Sequence, residues 1–223
     1  MTFSIVARCK TSGQFGMAIS SSSPAVAARC AHVRAAIGAV ASQNITDPEL
    51  GPLTLDALAQ GRSAAEALAL VLKDYPHAGY RQLLVVDRQG QTAIHSGSHV
   101  LGLWGEARGE ACAAGGNLLA SASIPELMVK AFEKAAGTLA HRLMAALEAG
   151  LAAGGEAGPV HSAGLKVADR LSWPFIDLRM DWSDTPIADL RAALDVYEPQ
   201  ANAYVQRALA PGAAPSFGVA GDR

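Results

Sequence analysis

The sequence predicts an α/β fold of the α+β kind, with two mainly antiparallel sheets stacked as a sandwich and flanked by helices. Three observations predict it. The strands come in hairpin pairs separated by blocks of helix, without the alternating βαβ rhythm of a doubly wound parallel sheet. Short, nearly continuous apolar runs such as Ile5-Val6 and Ala39-Val40 suit strands covered on both faces. The chain has 223 residues, 50% of them apolar, enough for one sizeable core, so a single domain over 1–210 is expected.

The elements follow in order. Strands are expected at Thr2 to Arg8, Gln14 to Ser20 and Ala36 to Ser42, with a turn at Lys10-Thr11-Ser12-Gly13 joining the first two. Two capping boxes, Thr46 with Glu49 and Ser63 with Glu66, announce helices, because the hydroxyl takes one orphan amide and the glutamate reaches back to another. Ala64 to Tyr75 places Ala67, Leu68, Val71 and Leu72 on one stripe, and Pro76 ends the helix. A second strand set covers Gln82 to Asp87, Gln91 to Ser96 and Glu110 to Ala114, with Arg88-Gln89-Gly90 as a hairpin turn. Ser123, Pro125 and Glu126 open a helix carrying Leu127, Ala131 and Phe132, and a further helix carries Leu139, Leu143, Leu147 and Leu151. Gly150 to Pro159 reads as a flexible loop, followed by strands at Ser162 to Asp169 and Phe175 to Trp182. In the last of these Asp177 and Arg179 fall on one face and Ile176, Leu178 and Met180 on the other. A final helix begins near Ser183 and Pro186, and residues 211–223 read as a disordered tail.

Composition excludes several function classes. With 18 Lys plus Arg against 20 Asp plus Glu, the formal charge is -2 and no basic stripe exists for nucleic acid or anionic membrane surfaces. No apolar run approaches the roughly 18 residues of a membrane span. The first residues lack the basic and apolar regions of a secretory signal, so a cytoplasmic location is expected. Cys9, Cys30 and Cys112 are odd in number and widely spaced, which fits reduced thiols. His95 and His99 are separated by Gly97, which breaks any helix that would pair them on a metal, and no phosphate-binding glycine fingerprint is present. Neither metal nor cofactor is expected, and a small-molecule substrate is the expected partner. A homodimer is expected from the prevalence of symmetric assemblies.

The chemistry points to Thr2. A small residue after the initiator Met favours removal of that Met, after which one residue carries a hydroxyl and a free α-amine. An α-amine titrates near 7.7 to 8.0, so about a third of it is neutral near pH 7.5 and it can serve as its own general base. Gly115-Gly116-Asn117 offers donors for a tetrahedral oxyanion, or else a glycine bend closed by an asparagine. Asp177 and Arg179 could hold a charged substrate group, or form a solvated strand face. Gln43 and Asn44 close the third strand and could line the cleft, or else belong to an ordinary helix-entry loop.

Several runs together carry a resemblance. They are Thr2-Phe3-Ser4-Ile5-Val6-Ala7-Arg8, the stretch Arg34 to Gln43, Gly51-Pro52, Leu58-Ala59-Gln60-Gly61 and Tyr80-Arg81-Gln82. Further on come His95-Ser96-Gly97, Gly116-Asn117-Leu118-Leu119-Ala120 and Ile176-Asp177-Leu178-Arg179. Over nearly the whole chain the sequence resembles the Ntn-hydrolase-like proteins of domain of unknown function family 1028. The resemblance implies the four-layer αββα sandwich of N-terminal-nucleophile (Ntn) hydrolases and, by analogy, amide-bond hydrolysis. It also implies a basic side chain near the nucleophile at the entry to the third strand, where Arg34 stands in this chain. Proteasome-like relatives use lysine there and a carboxylate near the end of the second strand. This chain has arginine, which cannot move protons, and the run Ser20 to Ser23. The expectation is therefore an Ntn amidohydrolase acting on a small amide, ureido or peptide-like compound, with Thr2, Arg34 and Asn117 catalytic and Gln43, Gly116, Asp177 and Arg179 binding substrate. The alternatives are a non-catalytic binding or scaffold protein on the same fold, and a cysteine hydrolase.

Overall fold

The computed structural model describes residues 1–219. Its first sheet has six strands: β1 (Thr2–Arg8), β2 (Phe15–Ser21), β7 (Gly105–Gly109), β8 (Cys112–Asn117), β9 (Ser162–Ala168) and β10 (Ile176–Met180). They lie in the order β10-β9-β2-β1-β8-β7. The second sheet has four, β3 (Ala31–Arg34), β4 (Gly38–Asn44), β5 (Arg81–Asp87) and β6 (Thr92–Ser96), in sequence order. Every pairing of these strands is antiparallel. The helices are α1 (Val26–Cys30), α2 (Leu50–Ala59), α3 (Ala64–Leu72), α4 (Ile124–Lys134), α5 (Leu139–Ala152) and α6 (Pro186–Leu209).

Strand alternation sets the layers. Phe3, Ile5 and Ala7 of β1 pack with Phe132, Leu143, Leu147 and Leu190, so α4, α5 and α6 cover the outer face of the larger sheet. The intervening Val6 points the other way, joining Phe15, Met17 and Ile19 against Ala39, Ala41, Leu84 and Val86 of the smaller sheet. From the back of that sheet, Val40, Leu83 and Val85 meet Leu50, Leu55, Leu58 and Leu68 of α2 and α3. Neighbouring apolar residues such as Ile5 and Val6, or Ala39 and Val40, thus serve opposite faces of one strand, each buried in a different layer.

Local departures from the sequence expectations have identifiable causes. The box at Ser63 forms, its hydroxyl accepting from the Glu66 amide while the Glu66 carboxylate accepts from the Ser63 amide. The box at Thr46 does not, because the Thr46 hydroxyl donates to the Ser42 carbonyl and Glu49 becomes the helix-preceding residue without a side-chain cap. Short α1 and β3 precede the strand expected at Ala36 to Ser42, which runs instead over Gly38–Asn44 as β4, and β7 adds an edge strand. On α4 Leu127 is exposed, as is Leu151 at the end of α5. The stretch 150–159 is not free: the Ala120 amide donates to the Gly155 carbonyl and the Ala157 amide to the Leu118 carbonyl, pinning this loop to the end of β8. The expected disordered tail also differs over its described part. Pro211–Ala213 makes a 3-10 turn, and the Arg207 guanidinium lies 3.6 Å from the Phe217 ring centre. The rest of that expectation, 220–223, lies outside the described residues.

Candidate active site

The site forms where the layer between the sheets turns polar. On β1, Thr2 and Ser4 share the face of Val6 and so point at the smaller sheet. Around Val6 that layer is lined by Phe15, Met17, Ile19, Leu84 and Val86, whereas around Ser4 it holds Gln43 from β4, Gln82 from β5 and Asn117 from β8, all fully buried or nearly so. Buried amides are tolerable only when hydrogen-bonded, and these bond to one another across the sheets. The Ser4 hydroxyl donates to Gln43 Oε1 at 2.6 Å, and Gln43 Nε2 donates to Gln82 Oε1 at 2.9 Å. Gln82 Nε2 donates to Ser96 Oγ at 3.1 Å and to the Gly116 carbonyl at 3.3 Å, which fixes the orientation of that amide because a carbonyl can only accept. Asn117 Nδ2 then donates to Gln82 Oε1 at 3.3 Å, and Asn117 Oδ1 is left buried without a protein partner.

Thr2 sits at the end of this layer and is 5% exposed. In the register of β1 with its neighbours it lies opposite Asn117, and Phe3 pairs with Ser20, which brings Ser21 to its other side. The Thr2 and Ser21 hydroxyls both donate to the Met1 carbonyl oxygen, and the two hydroxyl oxygens are 3.4 Å apart. Ser21 Oγ is 2.8 Å from Ser23 Oγ, which accepts from Arg29 Nη2 at 2.6 Å. The Arg29 Nη1 donates to the Pro24 and Ala25 carbonyls, clamping the serine-rich turn before α1. Ala25 there has φ of 50°, a left-handed conformation that a non-glycine residue adopts only where surrounding contacts impose it.

Glu156 closes the end of the strand. From the loop held against β8 its carboxylate crosses to the Ser22 amide beyond β2, at 3.0 and 3.2 Å, and it is 4% exposed. Burial pushes its carboxyl up to about 7, against the pull of the N-terminal ammonium and the Ser22 amide. The Met1 side chain lies near Gly158, and together these groups cover Thr2. Open grooves lie elsewhere, one of about 320 Å³ lined by Leu68, Leu72, Ile94 and His95 and one of about 510 Å³ along Asp177 to Asp181.

Of the residues singled out from sequence, Thr2, Gln43, Gly116 and Asn117 come together. Gly116 has to be glycine here, because a Cβ would stand 2.7 Å from a Leu119 methyl and 2.9 Å from the Thr2 carbonyl. Arg34 does not join them. It pairs with Gly38 at the far end of β4 from Gln43, roughly 16 Å along a strand at about 3.3 Å per residue, and its guanidinium is engaged by Asp56 on α2 at 2.7 Å. Asp177 and Arg179 lie on edge strand β10, with β9 and β2 between them and β1, and are ion-paired to Lys166 and Asp181. The groups that sequence reasoning passed over are Ser4, Ser21, Ser23, Arg29, Gln82 and Glu156. Ser4 carried a signal, a second polar residue two positions from Thr2 on a strand otherwise apolar until Arg8. The serine run ending the second strand carried another.

Burial acts on two of the three thiols. Cys112 is fully buried and its thiol is pushed up to about 12, first by burial and then by Glu133. Burial likewise raises the Cys30 thiol.

A family model described as a family of unknown function, DUF1028, matches residues 2–190. The chain belongs to the DUF1028 family. Among solved structures it is similar to a DUF1028 protein, SPO2555 from Silicibacter pomeroyi, with 29% identity and a TM-score of 0.81. That similarity covers 89% of this chain and 88% of the other. The structure of Anbu, an ancestral beta-subunit from Yersinia bercovieri, matches over 92% of this chain and 97% of that one, with 10% identity and a TM-score of 0.40. No curated protein matches the chain. Among the described residues, no helix is long and apolar enough to cross a membrane.

Proposed function

We propose that this DUF1028 protein is an Ntn-type amidohydrolase that cleaves a small amide, ureido or peptide-like compound with Thr2 as nucleophile. The observation that carries the reading is the placement of the Thr2 hydroxyl beside a carbonyl, that of Met1, at the polar end of the inter-sheet layer. Once Met1 is removed, the α-amine freed on Thr2 takes the proton of the Thr2 hydroxyl as Oγ1 bonds to the substrate carbonyl carbon. The C–N bond then breaks, the proton passes to the departing nitrogen, and water hydrolyses the resulting threonine ester. Arg29, linked through Ser23 and Ser21, supplies the positive charge that the family resemblance implies at Arg34.

The test is intact-mass spectrometry of the native protein before and after a threonine-directed β-lactone, alongside Thr2→Ala. Loss of one Met mass and an adduct in wild type alone is the expected result. Retained Met1 with no adduct would refute Thr2 as nucleophile and favour the binding-protein reading, in which the Thr2 nitrogen stays in its peptide bond.

A further inference from the structure

We propose that Ser21 is the donor that holds the carbonyl oxygen of the bound acyl group, with Arg29 acting through Ser23 as its positioning residue. The proposal rests on the reading of Thr2 as nucleophile and assigns a role that sequence had given to Asn117. One N–H of the Asn117 side-chain amide is given to Gln82 Oε1 at 3.3 Å, and the group that Asn117 holds buried without a protein partner is its Oδ1, an acceptor unsuited to an oxyanion. Ser21, by contrast, already donates to a carbonyl oxygen, and it does so next to the Thr2 hydroxyl. The Met1 carbonyl here stands in for the acyl carbonyl of a ligand.

The direction of the chain of hydroxyls is fixed at its Met1 end. A carbonyl can only accept, so the single Ser21 proton goes to the Met1 oxygen, and Ser23, whose Oγ accepts a hydrogen bond from Arg29, turns its own O–H to Ser21 Oγ, 2.8 Å away. The Ser23 amide also donates to Ser21 Oγ, at 3.1 Å. With its oxygen receiving donors on that side, Ser21 has its own O–H left to give, and it points at the carbonyl. Hydrogen bonds in series polarise one another, and the charge at the head of this one acts in the direction that strengthens the last.

When Thr2 Oγ1 bonds to the acyl carbon, the carbonyl π pair moves onto the oxygen and the hydroxyl proton goes to the Thr2 α-amine. Ser21 keeps its proton throughout and gains a stronger acceptor as negative charge develops, so the interaction favours the transition state over the ground state. When Met1 leaves, the acceptor of Ser21 leaves with it, and the vacated donor selects ligands that present an acyl oxygen.

The experiment uses the full chain released at Thr2 from a ubiquitin-like fusion and follows acylation by a β-lactone as intact mass against time, with the adduct mapped to Thr2. Ser21→Ala is expected to slow acylation about 100-fold, the size of effect seen when one oxyanion donor is removed, and Ser21→Thr to restore most of the rate. Arg29→Gln is expected to slow acylation about tenfold through the polarised chain, and to have no further effect in the Ser21→Ala background. That non-additivity is the signature a merely structural role would not produce. If Ser21→Ala does not fold, Ser23→Ala and Arg29→Gln carry the same comparison. Wild-type rates in Ser21→Ala, or an equal Arg29→Gln effect with and without Ser21, would overturn the proposal and leave Thr2 standing. No adduct in wild type would overturn both.

Discussion

Replacing Glu156 by glutamine tests the geometry at the head of β1 through pH-dependent stability. The carboxyl moves from an ordinary 4.5 to about 7 on folding, because burial disfavours its charged form more than the N-terminal ammonium and the Ser22 amide favour it. A folded group that binds its proton more tightly than the unfolded one holds excess protons in the native state, so stability falls as pH rises between these two values. Its contribution is fully present below about pH 4.5 and lost once pH has passed about 7. At 1.36 kcal/mol per pH unit the loss is about 3 kcal/mol. Glutamine keeps an oxygen for the Ser22 amide and has no proton to lose, so Glu156→Gln is expected to gain about 3 kcal/mol on wild type between pH of about 4.5 and about 8. Urea unfolding of both proteins, with Met1 verified by mass, reads the difference directly and cancels the other titrating groups. A difference flat to within about 0.5 kcal/mol across that range would refute the buried placement of this carboxylate.

Other perturbations probe the rest of the site. Gln82→Leu strands the Gln43 and Asn117 amide groups and the Gly116 carbonyl, at about 1–3 kcal/mol for each buried group left unpaired. Unfolding in urea should show a loss of roughly 3 kcal/mol, and an unaffected midpoint would contradict the network. Gly116→Ala forces a methyl against the Thr2 carbonyl and is expected to cost about 1–3 kcal/mol by overpacking, read in the same assay. Among the thiols, iodoacetamide should label Cys9 first. Burial raises that thiol, but the Ser12 hydroxyl and amide together with the Thr11 amide and the Arg142 charge more than offset it, leaving it below the ordinary value. Cys112 should stay unlabelled until the protein unfolds, and peptide mapping distinguishes the two.

The layers were legible because they are written in nearest-neighbour patterns. Strict alternation in 176–180 marks an edge strand with one buried face, and paired apolar residues such as Ile5-Val6 mark a strand buried on both. Strand β7 was not legible, since Gly-Glu-Ala-Arg-Gly has no apolar rhythm and owes its place to pairing with β8. The site was only half legible for the same reason. Thr2 and Asn117 announce themselves through strand position and residue type, but their meeting is a register fact between strands more than 100 residues apart. Glu156 was hidden in a stretch whose glycines and alanines read as flexible, and two backbone hydrogen bonds to the end of β8 decide otherwise. The resemblance implies a basic residue at the entry to the strand after the serine run. The chain instead interposes α1, whose Arg29 turns back onto Ser23.

The strand that begins at Thr2 has neighbours of very different age. Strand β2 leaves the ribosome just behind it, whereas β8 and the loop bearing Glu156 follow only after some 110 to 155 further residues. At about 5–20 residues per second, the bond between Met1 and Thr2 stays open to an aminopeptidase for roughly 5 to 30 seconds. It is then enclosed by parts of the chain that did not yet exist when it was made. The removal of Met1 that the proposed function requires is on this ordering a race between an enzyme and translation, decided before the fold is complete.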